Sequence, residues 1–362
     1  MKQMLSLAQL AATIKDQAET RADYILPVNR LEMTDEAKLR LVNVQGADQS
    51  LPATKIGHNQ LAEYAGIPSA YYQRLLEQDP KLLARNVNRW VRDGAKSDDR
   101  RMVRTMGGSF RALLSERYQR IDNDSVAEVA LNVLSDIPGL RVVSTAVTES
   151  RLYIKATSNK IVAPDPGVRR VGSLIEAGIM ISNSEVGMGA VSIKPFANFL
   201  YCLNGMVRDG SQMRAQHVGR KIDADLEGML SDSTKRLEDE VVLRKVRDVI
   251  KGAFESAKFQ QFIDKLADTT KQKIEGDVHA AVEALGPVMG LNVGERQSVL
   301  RHLIEGGDLS RYGLANAITR TGEDVGDYDR ATELETLGFR LIDLSKGQWD
   351  GIANAKPLAL AA

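Results

Sequence analysis

Cysteine is almost absent from this 362-residue chain, where Cys202 stands alone. A single thiol excludes an intrachain disulfide framework and suits the reducing conditions of a cytoplasm. Histidine is scarce too: His58, His217, His279 and His302 lie far apart, with no HxxxH, HxH or CxxC spacing. That scatter argues against a structural zinc site, and no cofactor motif is present, while a carboxylate site for magnesium needs no tight spacing and stays open. Aromatic residues make up only 5% of the chain, which argues against extensive base stacking. Long apolar runs are missing. The longest, Gly178–Ile181 and Phe196–Leu203, fall far short of the roughly 20 residues a membrane span needs, so no membrane partner is expected. Lys15 and Asp16 interrupt the weakly apolar start, which reads as an amphipathic helix rather than an export signal.

Signatures of catalysis are missing as well. There is no GxSxG elbow, no SxxK and no kinase pattern, and no GxxxxGK[ST] loop. Gly187-Met-Gly-Ala has neither a third glycine nor a following helix, and reads as a tight turn between two strands. Cys202 sits in an apolar run and reads as a small buried hydrophobe. Asp122, Glu149 and Glu185 stand near expected strand ends, the one arrangement that suggests a magnesium-dependent nuclease.

What the chain does contain is patterned. Residues 4–22 have helical spacing, and 24–45 alternate as strands. A helix–turn–helix-like pair over 59–76 turns at Gly66 and restarts at Pro68. Residues 80–93 read as a helix with Leu82, Leu83, Val87 and Trp90 inward and arginines outward. Strand candidates follow at 110–115 and 118–122 around a Glu116-Arg117 turn, then a helix over 124–136 capped by Asp122-Asn-Asp-Ser. A hairpin is expected over 141–156, a loop over 158–170, and strands over 173–182, 187–194 and 198–203. From about 223 the pattern is helical and highly charged. The fold class is therefore α+β, with a mainly antiparallel strand-rich core and a packed helix. The expected division is a helical N-terminal region with short strands (1–105), a central α+β core (106–222) and a helical C-terminal region (223–362).

The net charge is zero, but it is unevenly spread. Between Lys81 and Arg120 eleven basic residues face four acidic ones, while both flanks are mildly acidic. Arg85, Arg89 and Arg92 share one helix face at i, i+4, i+7, and Arg100, Arg101, Arg104, Arg111, Arg117 and Arg120 continue the island. Phe110 and Tyr118 interleave rings with this charge. A cationic track with π-faces is how single-stranded nucleic acids are held, through the backbone more than by sequence readout.

Four blocks carry a resemblance: Leu61-Ala-Glu-Tyr-Ala-Gly-Ile-Pro-Ser-Ala-Tyr-Tyr with Asn86-Val-Asn-Arg-Trp; Arg104-Thr-Met with Phe110-Arg-Ala-Leu-Leu-Ser-Glu-Arg-Tyr-Gln-Arg-Ile-Asp-Asn; Ile181-Ser-Asn-Ser-Glu-Val-Gly-Met-Gly with Tyr201-Cys-Leu-Asn-Gly-Met; and Tyr312-Gly-Leu-Ala-Asn-Ala-Ile-Thr-Arg, ending near Trp349. Together they resemble a phage- and plasmid-encoded family known only as domain of unknown function number nine hundred and thirty-two. The resemblance implies a mobile genetic element and assigns no catalytic residue. The order hairpin, helix, hairpin is also compatible with the core of phage single-strand annealing proteins, which form rings or filaments on DNA. Three functions are expected, in this order. The first is a non-catalytic protein binding single-stranded DNA in the host cytosol, with further copies of itself among the expected partners. The second is a counter-defence protein binding a host protein through the stripe Leu237, Val241, Val242, Val246 and Val249, although packing of that stripe on its own core is the commoner outcome. The nuclease comes last.

Overall fold

A computed structural model describes residues 4–94, 98–167, 173–200, 205–208, 213–215, 232–254 and 256–357. Helices dominate its two ends and antiparallel sheets its middle, so the fold is α+β as the sequence indicates. Cys202 and residues 223–231 lie outside the described residues.

Helix α1 (Leu7–Thr20) opens with a reciprocal capping box, Ser6 accepting from the Gln9 backbone and Gln9 from that of Ser6. Strand β1 (Ala22–Pro27) follows, then a small sheet of β2 (Leu31–Met33), β3 (Lys38–Val44) and β4 (Ala47–Pro52). Helix α2 (Lys55–Ala65) ends where Gly66 takes φ 66°, the left-handed turn expected of it, and α3 (Ser69–Gln78) starts after Pro68. Helix α4 (Pro80–Val87) runs into a π-turn at Asn88–Arg92, where the Asp93 amide reaches back five residues to the Asn88 carbonyl.

The first correction concerns the next hairpin. Phe110 does not pair with the 118–122 segment, which forms no strand. β6 (Ser109–Ser115) instead folds back on β5 (Arg100–Met106) across Gly107-Gly108, whose φ values of 56° and 70° suit a two-residue hairpin turn. β5 also pairs with β1, with Asp23 directly opposite Arg104. This sheet therefore straddles residue 105, the expected domain boundary.

Helix α5 (Asn123–Asp136) precedes the main sheet, ordered β11-β10-β9-β8-β7, with β12 also on β10. Its strands are β7 (Leu140–Val147), β8 (Leu152–Pro164), β9 (Leu174–Asn183), β10 (Val191–Phe199), β11 (Gly205–Val207) and β12 (Met213–Ala215). The 141–156 hairpin and the glycine turn between two strands are both present. The expected loop over 158–170 is corrected in part, because β8 continues through a bulge to Pro164.

The remaining helices are α6 (Asp232–Gly252), α7 (Ser256–Thr270), α8 (Val278–Met289), α9 (Val293–Gly306), α10 (Arg311–Asp324), α11 (Tyr328–Asp343) and α12 (Lys346–Ala353). Strand parity sorts the main sheet between two helical layers. Leu152, Ile154, Ile179, Ile181 and Ile193 face a core shared with α1, α5 and α6. On the other face Tyr153, Met180 and Phe196 meet Tyr328 of α11. There Lys155, 1% exposed, is ion-paired with buried Glu335 and lies over the rings of Phe196 and Tyr328. No described helix is long and apolar enough to cross a membrane.

Candidate nucleic-acid interface

The residues of the basic island separate into three groups. Arg104 is the clearest correction: it is 0% exposed and contacts no solvent. Its Nε and Nη2 donate to the two carboxylate oxygens of Asp23 at 2.8 Å each, and Nη1 donates to Asp122 at 2.8 Å and to the Glu185 carbonyl at 3.0 Å. Opposition to Asp23 across the β1–β5 ladder dictates this pairing. Phe110 is also corrected. It is fully buried under α2, where Gly57 leaves the space its ring fills. Tyr118 packs in the core beside Met102 and donates its hydroxyl to the Ser184 carbonyl at 2.8 Å, so neither ring is placed to stack on a base. Arg111 is half-buried and donates to the Glu149 carbonyl at 2.8 Å.

A second group reaches the surface in the company of acids. Arg92 meets Glu32 at 3.0 Å, Arg100 meets Glu116 at 3.5 Å, and Arg120 meets Asp23 at 3.3 Å. Arg101 lies 3.7 Å from Asp99 and covers the ring of Tyr64 at 4.8 Å. Arg117 is exposed in the turn after β6.

The third group forms a surface. Arg85 and Arg89 are exposed, and neither is ion-paired with any described residue. Lys81 precedes Arg85 by one turn, so Lys81, Arg85 and Arg89 form a row that runs along α4 into the π-turn. Beside it runs a second row, Leu82, Asn86 and Trp90. Leu82 is 38% and Trp90 59% exposed, which corrects the expectation that both face inward. The inward row is Leu83, Val87 and Val91, each essentially inaccessible. Asn88 holds the π-turn in place by acting as a strand neighbour for Met33: it accepts from the Met33 amide at 2.7 Å and donates to its carbonyl at 2.9 Å. The Trp90 indole is therefore left in solvent on the face next to the row of cations.

The acidic residues considered for a magnesium site are committed elsewhere. Asp122 binds Arg104 and Arg21 at 2.8 and 3.1 Å, and for that reason makes no side-chain cap to the helix it precedes. Glu149 accepts from the Ile56 amide at 2.8 Å, at the start of α2. Glu185 is 4% exposed, accepts from the Asn123 amide at 3.0 Å, and lies 3.5 Å from both Arg104 and Arg21. Burial, then Asp122, raises its pKa, and Arg104 and Arg21 oppose that rise. No group of three or more metal-ligating side chains forms among the described residues. The stripe on α6 also resolves. Val246 is fully buried, and Val242 and Val249 pack on the main core, while Leu237 and Val241 stay outside.

Lys81, Asn86 and Trp90 are the residues that sequence reasoning missed as a site. The available signal was the row spacing of four: it groups Arg85 and Arg89 with Lys81 and excludes Arg92. No protein-family model, no curated protein and no solved structure matches this chain.

Proposed function

We propose that the chain is a non-catalytic nucleic-acid-binding protein, with single-stranded DNA as the favoured ligand. The observation that carries this reading is the exposed row Lys81–Arg85–Arg89, ion-paired with no described residue, on the face next to the exposed Trp90. Cations one helical turn apart match a repeating phosphate backbone, and the indole offers a face to an unstacked base. A base inside a duplex has no free face, which is why the single strand is favoured. In this reading the protein serves phage or plasmid DNA metabolism in the host cytosol, as a member of the family of unknown function that its sequence blocks resemble. Assembly of several copies along one strand extends the same contact.

The test is binding of a single-stranded oligonucleotide as a function of salt. Replacing Arg85 and Arg89 together with glutamine removes two phosphate contacts, which lowers the slope of log affinity against log salt by about 1.4. Both side chains are exposed and unpaired among the described residues, so stability should change by less than about 0.5 kcal/mol. Retention of full affinity and slope in this variant would remove the basis of the reading.

A further inference from the structure

Five of the chain's seven phenylalanines, Phe196, Phe254, Phe259, Phe262 and Phe339, converge on one pocket. It is built from β9, β10, the end of β11, the α6–α7 junction, α7 and α11, none of which carries the basic row of α4. Phe262 stacks on Phe339 with ring centres 5.5 Å apart, and Phe259 leans on Phe262 at 6.5 Å. The floor is kept low by Gly178: a Cβ there would come within 2.9 Å of the Phe196 ring and 2.5 Å of the Ala156 carbonyl.

The chemistry of the lining is narrow. Among the described residues around the pocket, none has a hydroxyl, amide or carboxylate side chain. A nucleobase or sugar buried there would leave its polar edges without partners among those side chains. The charged side chains among those described residues are Arg208 and Lys258, both exposed, so their charge sits at the solvent side of an apolar interior. Arg208 is held there by its amide, which donates to the Pro195 carbonyl at 2.9 Å, and its guanidinium lies 5.9 Å from the centre of the Phe339 ring.

We propose that this pocket is a binding site for a small hydrophobic carboxylate, its apolar body among the phenylalanines and its head on Arg208. An uncharged amphiphile would lack the head contact, and a polar metabolite would lack partners inside.

Calorimetric titration of the full chain with decanoate, below its micellar concentration, tests the site, with decanol as the uncharged control. The expected result is saturable binding of one decanoate per chain. Arg208→Gln should weaken it by at least about tenfold while leaving decanol unchanged, since a charge-assisted contact contributes about 1.5–3 kcal/mol. Ala253→Phe, which fills the mouth, should abolish binding of both. Absence of saturable decanoate binding, uptake of many molecules per chain, or identical affinities in parent and both variants would overturn the proposal. Oligonucleotide binding is measured separately, so failure here leaves the reading of the α4 surface untouched.

Discussion

A guanidinium inside a sheet must satisfy its hydrogen-bonding capacity from within the fold, and Arg104 does so with Asp23, Asp122 and the Glu185 carbonyl. Those partners come from β1, from the residue before α5 and from the β9–β10 connection, so one side chain joins the N-terminal sheet to the main sheet. Truncation removes the shared counter-charge of the part-buried Asp23 and Asp122 and leaves them with Arg120 and Arg21, and Arg104→Ala should cost about 3 kcal/mol in urea denaturation. A loss below about 1 kcal/mol would show that the network is not a structural joint. Glu185, beside it, gives a pH signature. Its pKa in the fold lies above the ordinary glutamate value of 4.5, because burial and Asp122 outweigh Arg104 and Arg21. Between those two values the folded chain holds a proton that the unfolded chain has released, so this group's contribution to stability falls as pH rises. Below the ordinary value both states are protonated and the contribution is flat. Relative to Glu185→Gln, the parent should therefore lose stability from about pH 4 upward, and a parent that gains would reverse the sign argued here.

At the level of elements, the sequence was most legible where local chemistry alone decides the outcome. Gly66 and Pro68 mark the α2–α3 corner in the fold as they do in the sequence, and the hairpin β7–β8 follows its alternation. It was least legible where tertiary contacts decide. β5 carries Arg100, Arg101 and Arg104 and does not look like a strand. Yet from Met102 to Met106 every residue is buried, because one side packs on the N-terminal core and the other on the charge network. Missing β5 assigned the Phe110 strand to the wrong partner and moved the hairpin turn from Gly107-Gly108 to Glu116-Arg117. Trp90 was misread for a different reason. An aromatic in an amphipathic helix is ordinarily an inward residue, but here Leu83, Val87 and Val91 already fill that face before the π-turn. The basic island was legible as a count of charges. Which of those charges are neutralised depended on partners as distant as Glu185, invisible to any local pattern.

Across the whole molecule, apolar cores lie around the main sheet and its N-terminal neighbour, and the net charge of zero conceals how the cations are used. Most arginines of the 81–120 segment meet acids or carbonyls of the fold, whereas Arg85 and Arg89 of the α4 row are ion-paired with no described residue. That division makes the two tryptophans opposite reporters. Trp349 is 4% exposed in the C-terminal core, beneath Arg311 at 5.5 Å, whereas Trp90 stands in solvent on the proposed interface. Tryptophan emission during titration with single-stranded oligodeoxythymidine is therefore the most direct measurement. The account predicts saturable quenching that vanishes in Trp90→Phe and shifts to higher oligonucleotide concentration in the Arg85→Gln/Arg89→Gln variant. Emission that stays constant through saturating oligonucleotide at low salt would contradict it.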